Sequence, residues 1–190
     1  MPSKPSKLIL GFDPGLTRCG YGVVSQGSSR QVTFESVGVI KAALGGEQSS
    51  RIAIVGDQVA ELLDSLKPNQ VAIERVFAQQ NLHSVMGVAQ ISGVISYLCH
   101  LRGIPITFYT PTEVKAAVTG SGRANKQQVT KMVMQILKLK EQPKPADAAD
   151  ALAIAITCAW RGGIVLPEAS STETGAQKKW RSAIAASKKS

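Results

Sequence analysis

The order in which hydrophobic periodicity changes along this chain restricts its fold more than any other feature. Residues 8–12 form a short apolar run ended by Asp13-Pro14-Gly15, the pattern of a buried strand stopped by a turn. Residues 20–25 and 31–40 are rich in strand formers and separated by Gly27-Ser28-Ser29, which predicts a hairpin. A helix is expected after Ser49 or Ser50, with Ile52, Val55, Val59, Leu62, Leu63 and Leu66 at three- and four-residue steps and Pro68 closing it. Residues 71–77 read as a strand, 80–102 as a long helix loosened by Gly87 and Gly93, and 104–109 as a fifth strand. Thr110-Pro111-Thr112-Glu113 has the form of a capping box with proline at the first helical position. Asn125-Lys126-Gln127-Gln128 opens another helix, with Val129, Met132, Val133, Ile136 and Leu137 on one face. Residues 146–160, preceded by Pro143 and Pro145, are apolar almost all round, as in a buried helix. Three adjacent strands followed by alternation predict an α/β domain. Its mixed five-stranded sheet is flanked by helices, the hairpin antiparallel and the later strands parallel.

The chain has 190 residues, 44% of them hydrophobic and 18% charged, a composition that excludes wholesale disorder. One domain over 1–166 is expected. Beyond Pro167 the sequence turns to Ser, Thr, Glu, Lys and Ala with few apolar anchors, so 167–190 is expected to be a flexible basic tail. No stretch approaches the roughly 18–20 apolar residues of a membrane span, and the N-terminal run is too brief for a signal peptide. Cys19, Cys99 and Cys158 lie far apart without a C-x-x-C pair, which fits buried thiols in a reducing compartment and predicts a cytoplasmic protein.

The net charge of +9 is uneven. Between Arg102 and Lys144 eight basic residues face only Glu113 and Glu141, whereas residues 1–101 are almost balanced. Clustered Lys and Arg reward a polyanionic partner through phosphate neutralisation and counterion release, although a solvated basic face would look the same. With only 13 acidic residues in the chain, those in apolar surroundings stand out. Asp13 ends the first strand, Glu74 lies near the end of the fourth, and Asp147 and Asp150 share one face of the last helix's first turns. Each has a structural reading: Asp13 as a turn cap, Asp147 on the positive end of its helix, Glu74 in an ion pair. Taken together, they would converge where the ends of strands one and four meet a crossing helix. Arg75, the one basic residue in these segments, points to the opposite face from Glu74. Hard divalent cations, Mg²⁺ or Mn²⁺, are the usual counter-charge for an oxygen-only cluster, and two such ions with a phosphate are the layout of phosphoryl transfer. Neither His83 nor His100 has metal-ligand spacing with a cysteine, which argues against zinc.

Gly11-Phe12-Asp13-Pro14-Gly15 with Gly20-Tyr21-Gly22, Ala72-Ile73-Glu74-Arg75-Val76-Phe77, and Ala146-Asp147-Ala148-Ala149-Asp150-Ala151-Leu152 resemble the RuvC family of bacterial crossover (Holliday) junction endodeoxyribonucleases. Thr112-Glu113-Val114-Lys115 and Asn125-Lys126-Gln127-Gln128-Val129 resemble further segments of that family, in the same order. The resemblance implies a ribonuclease H-like fold and a homodimer that nicks two opposed strands of a four-way DNA junction during recombination and repair. It implies Asp13, Glu74, Asp147 and Asp150 as catalytic metal ligands, holding two Mg²⁺ ions per site, with Mn²⁺ also supporting activity. It also implies Phe77 at the crossover, stacked on an unpaired base, and Lys115 and Lys126 as DNA contacts at the site's rim. The branch-migration proteins RuvA and RuvB are implied as partners. Lys126 gains independent support from its place at a helix N-terminus after Gly120-Ser121-Gly122-Arg123, a natural phosphate seat, and Arg123 joins it by position alone. The 80–102 helix carries more apolar positions than one core stripe uses, consistent with a two-fold mate or with a wholly internal helix.

Three other readings compete. A non-cleaving DNA-binding module would share the basic surface without needing the four acids. A phosphate-transferring enzyme of the actin or sugar-kinase type also begins with a strand ending Asp-x-Gly, but usually has a second phosphate loop and a longer chain. A related nuclease acting on RNA is separated only by the motif match.

Overall fold

The computed structural model describes residues 6–27, 30–42, 47–75 and 82–162. Strands β1 (Lys7–Asp13), β2 (Arg18–Gln26) and β3 (Val32–Lys41) come first, then helix α1 (Gln48–Leu66), strand β4 (Gln70–Glu74) and helix α2 (Leu82–Leu101). Strand β5 (Ile106–Tyr109) and helices α3 (Pro111–Thr119), α4 (Lys126–Leu137) and α5 (Ala146–Arg161) complete the order. The sheet runs β3-β2-β1-β4-β5, antiparallel across β3, β2 and β1 and parallel across β1, β4 and β5. This is the expected mixed five-stranded sheet.

Strand alternation divides the interior into two cores. Leu10 and Phe12 of β1, with Val71 and Ile73 of β4, pack toward α1 and α2 through Val55, Val59, Leu63, Ile91 and Ile95. Ile9 and Ala72 face the other way, toward Leu152 and Ala155 of α5 and the apolar sides of α3 and α4. Burying a side chain the size of Phe12 or Leu152 contributes about 2–3 kcal/mol, so two such faces fix which way each strand points.

The α5 face is shaped by what it lacks. Gly11, Gly20 and Gly22 all point at α5, and Gly11 pairs with Gly22 across the strands. A Cβ on Gly11 would lie 2.4 Å from the Ala151 carbonyl oxygen, and one on Gly20 would lie 2.5 Å from that of Asp147. The alanine-rich helix therefore rests on strand backbone rather than on side chains. Its first turn is carried to the end of β1.

Both expected capping boxes are present: Thr110 with Glu113 at α3, and Asn125 with Gln128 at α4. The start of α1 differs from expectation. Its N-cap is Glu47, with no side-chain cap bond, and Ser49 lies inside the helix, its hydroxyl directed at the Glu47 carboxylate. Strand β5 starts at Ile106 rather than at residue 104. Gly103 takes a left-handed conformation, the Ile104 N–H closes α2 by donating to the Cys99 carbonyl, and Pro105 has no N–H to offer. Arg102, counted in the basic stretch, is committed elsewhere: its guanidinium forms a two-pronged pair with Asp64, at 2.7 Å on each prong, tying the end of α2 to α1. Phe77 and the 167–190 tail lie outside the described residues. Among those described, no helix is long and apolar enough to cross a membrane.

Candidate active site

Asp13 is the last residue of β1 and Glu74 the last of β4. The parallel register pairs Gly11 with Ala72 and Phe12 with Ile73, which brings Asp13 and Glu74 to the same level at the strand ends. Two-residue alternation turns both toward α5, as Gly11 and Ala72 are turned. Asp147 and Asp150 lie one turn apart at the start of α5, where the helix's positive end favours a carboxylate. With the helix seated on the glycines, the Asp147 backbone lies directly over Gly20.

Electrostatics registers the convergence. The Asp13 carboxyl is pushed up to about 7, first by burial and then by Glu74, Asp150 and Asp147, with Lys126 pulling the other way. Burial also raises Glu74, with Asp150 adding to the effect and Lys115 and Lys126 opposing it. Burial and the neighbouring carboxylates thus act in the same direction, both disfavouring the charged forms of Asp13 and Glu74.

Two cations occupy the flanks. Lys126, the first residue of α4, places its Nζ 2.7 Å from Asp150 Oδ2, and that hydrogen bond holds the ammonium above its ordinary value. Glu74, Lys115, Lys126 and Asp150 line one cavity of about 240 Å³ between α3, α4 and α5. On the other side, Arg18 Nε donates to Asp147 Oδ2 at 2.8 Å. Asp147 and Asp150 are thus engaged by basic partners, and among the described residues no three ligand side chains are gathered closely enough to hold a metal ion as they stand. Arg123 lies apart from the acid cavity, in a neighbouring groove with Thr119, Ser121, Gln128 and Lys131.

The sequence model for the crossover junction endodeoxyribonuclease RuvC matches residues 9–158. The chain belongs to the RuvC family. Curated relatives include the RuvC crossover junction endodeoxyribonuclease of Paenarthrobacter aurescens, 52% identical over 179 residues that cover 93% of this chain and 95% of that one. The protein of the same name from Saccharopolyspora erythraea is 56% identical over 153 residues, 80% of this chain and 77% of the relative. Among solved structures, Thermus thermophilus RuvC in complex with a Holliday junction substrate matches with a TM-score of 0.77 and 33% identity, covering 82% of this chain and 94% of that one. The yeast mitochondrial Holliday junction resolvase shares the fold at 17% identity and a TM-score of 0.61, over 85% of this chain and 83% of its own.

Within this RuvC-family domain the structure brings together five residues expected from sequence near one another, Asp13, Glu74, Asp147, Asp150 and Lys126, with Lys115 at the cavity wall. Sequence reasoning missed Arg18. The available signal was its position: Arg18, Gly20 and Gly22 are alternate residues of one strand, so a face read as glycine begins with a long cation. The glycines were recognisable as part of a motif, but their purpose as a bed for α5 needed the tertiary contact.

Proposed function

We propose that this chain resolves four-way DNA junctions by hydrolysing one phosphodiester in each of two opposed strands, with divalent metal ions held by Asp13, Glu74, Asp147 and Asp150. The observation that carries the reading is the buried Asp13 carboxyl, raised by burial and by the neighbouring Glu74, Asp150 and Asp147, with cations on both flanks. An oxygen-only donor set with surplus negative charge suits a hard cation, Mg²⁺ or Mn²⁺. Asp13 and Glu74 would hold the shared position, and Asp147 and Asp150 would complete the second side. Such ions, two per site, supply an activated water and neutralise charge on the leaving 3′ oxygen.

The protein's own contribution is placement and charge. Asp13 and Glu74 sit on rigid strand ends, and the α5 carboxylates are fixed by the helix's seat on glycine. Lys126 at a helix N-terminus and Lys115 across the cavity face the phosphate path, where they oppose charge developing on the scissile group. Phe77, close behind Glu74 in sequence, is assigned to stacking on an unpaired base at the crossover, a contact worth roughly 1–3 kcal/mol.

Two opposed cuts call for two sites related by symmetry, and α2 supports a homodimer. Met86, Tyr97 and Leu101 are all about 60% exposed and, with the open face of Gly93, form an exposed stripe at helical spacing among the described residues. Branch-migration proteins of the RuvA and RuvB kind are the partners this role implies. The activity is tested by incubating the protein with a labelled mobile four-way junction and with linear duplex, in Mg²⁺ and in EDTA. Paired nicks in opposed junction strands only with metal are expected; tight binding without nicks would replace this reading by a non-cleaving junction-binding module.

A further inference from the structure

The lysines named so far gather on one side of the carboxylates, toward β4 and the α3–α4 junction, and Arg18, with Lys41 paired opposite it on β3, lies on the other. It opens β2, the strand adjoining β1 on the side away from β4, and its alternation with Gly20 and Gly22 throws its side chain across the first turn of α5. One nitrogen, Nε, donates to Asp147 Oδ2 at 2.8 Å, while about half of the side chain stays open to solvent. A guanidinium is a rigid fork with five donors, and the Nε contact uses one of them, leaving the four on the terminal nitrogens for a second acceptor. The Gly20 contact brings the two side chains within reach, because the Asp147 backbone is pressed against the strand that carries Arg18.

We propose that Arg18 is a two-headed residue of the site: its Nε positions Asp147, and its terminal nitrogens take a backbone phosphate of the strand being cut. The inference rests on the nuclease reading above. The substrate strand then crosses the carboxylates between two cationic walls, Arg18 on the β2 side and Lys126 with Lys115 on the β4 side. A lysine at position 18 keeps a charge for the phosphate, but with its donors on a single nitrogen at the end of a flexible stem it lacks the fork that holds Asp147 in place at the same time.

The test compares wild type, Arg18→Gln and Arg18→Lys on one four-way junction. Binding is measured as a function of KCl with Ca²⁺ in place of Mg²⁺, the strands being checked for integrity, and cleavage is measured separately in Mg²⁺. A lost phosphate contact lowers the magnitude of the log–log salt slope by about one. Arg18→Gln is expected to show that loss, with a cleavage rate at saturating protein at least roughly tenfold lower. Arg18→Lys is expected to keep the wild-type slope while cleaving as slowly as Arg18→Gln. An unchanged slope in Arg18→Gln, or wild-type cleavage by Arg18→Lys, overturns the two-headed role, and the Arg18→Lys arm decides alone if Arg18→Gln does not fold. Failure of the wild type to cut the junction would instead overturn the nuclease reading itself.

Discussion

Replacing Gly20 by alanine adds one methyl group at the point where β2 meets the first turn of α5. That Cβ would lie 2.5 Å from the Asp147 carbonyl oxygen and 3.0 Å from its carbonyl carbon, with backbone as the obstacle rather than a mobile side-chain tip. Restoring ordinary contact requires a separation of roughly half to one ångström, and because β2 is pinned in the middle of a paired sheet, the helix end is what yields. Overpacking of this kind costs about 1–3 kcal/mol, offset by up to about 1 kcal/mol from removing a strand glycine, so a domain of ordinary stability stays folded. Catalysis is less forgiving. The displaced turn carries Asp147 and Asp150, and a misplacement approaching 1 Å lowers the rate by about 10²-fold. Single-turnover cleavage of a four-way junction in Mg²⁺, read beside circular dichroism and the melting temperature, separates the two effects. Gly27→Ala is the control, since a Cβ there meets nothing within 4 Å. A Gly20→Ala protein that cuts within roughly threefold of wild type would refute the claim that the glycine bed sets the position of the catalytic helix.

Other consequences concern charge, backbone strain and assembly. Asp13 is raised from its ordinary 3.8 to about 7 in the folded protein, so between those values the folded state holds a proton that the unfolded chain releases. The stability of the metal-free protein should therefore be greatest below about pH 4 as far as this group is concerned and fall as pH rises to 7; melting in EDTA across that range should show the decline, and Asp13→Asn should flatten it. Lys67 ends α1 in a left-handed conformation at φ 47°, where a Cβ is strained, so Lys67→Gly should raise stability by about 0.5–1 kcal/mol in urea denaturation. Tyr97 is 61% exposed in the middle of the α2 stripe, and Tyr97→Glu should leave the monomer's melting profile intact while sedimentation shows the dimer lost; an unchanged dimer would move the interface elsewhere.

Much of this molecule could be read from its residues because the deciding forces were local. The Thr110–Glu113 and Asn125–Gln128 boxes are four-residue patterns whose hydrogen bonds form within the pattern itself. The facing of Asp13 and Glu74 follows from two-residue alternation beside apolar neighbours, and that of Asp147 and Asp150 from one helical turn. What escaped was nonlocal. The start of α1 escaped because the helix opens at Gln48, ahead of the serines that could cap it, with Glu47 at the N-cap. The start of β5 escaped because strand-like Ile104 is used for closing α2, its N–H donating to Cys99. Arg18 escaped because its partner is 129 residues away and nothing in the local sequence names it. The basic stretch was also less uniform than its count suggested, since Arg102 serves a helix–helix joint while Lys115 and Lys126 reach the acids.

In the proposed function the four carboxylates act as one metal-dependent cutting centre that is separable from DNA recognition. The most direct test sets wild type and Asp13→Asn side by side on the same labelled four-way junction, measuring junction affinity and paired nicking in Mg²⁺ from the same preparations. Asp13→Asn is expected to bind the junction at least as tightly as wild type, having lost a charge that repels phosphate, and to make no nicks. Nicking at a near wild-type rate by Asp13→Asn would contradict that function, whatever the structure of the rest of the site.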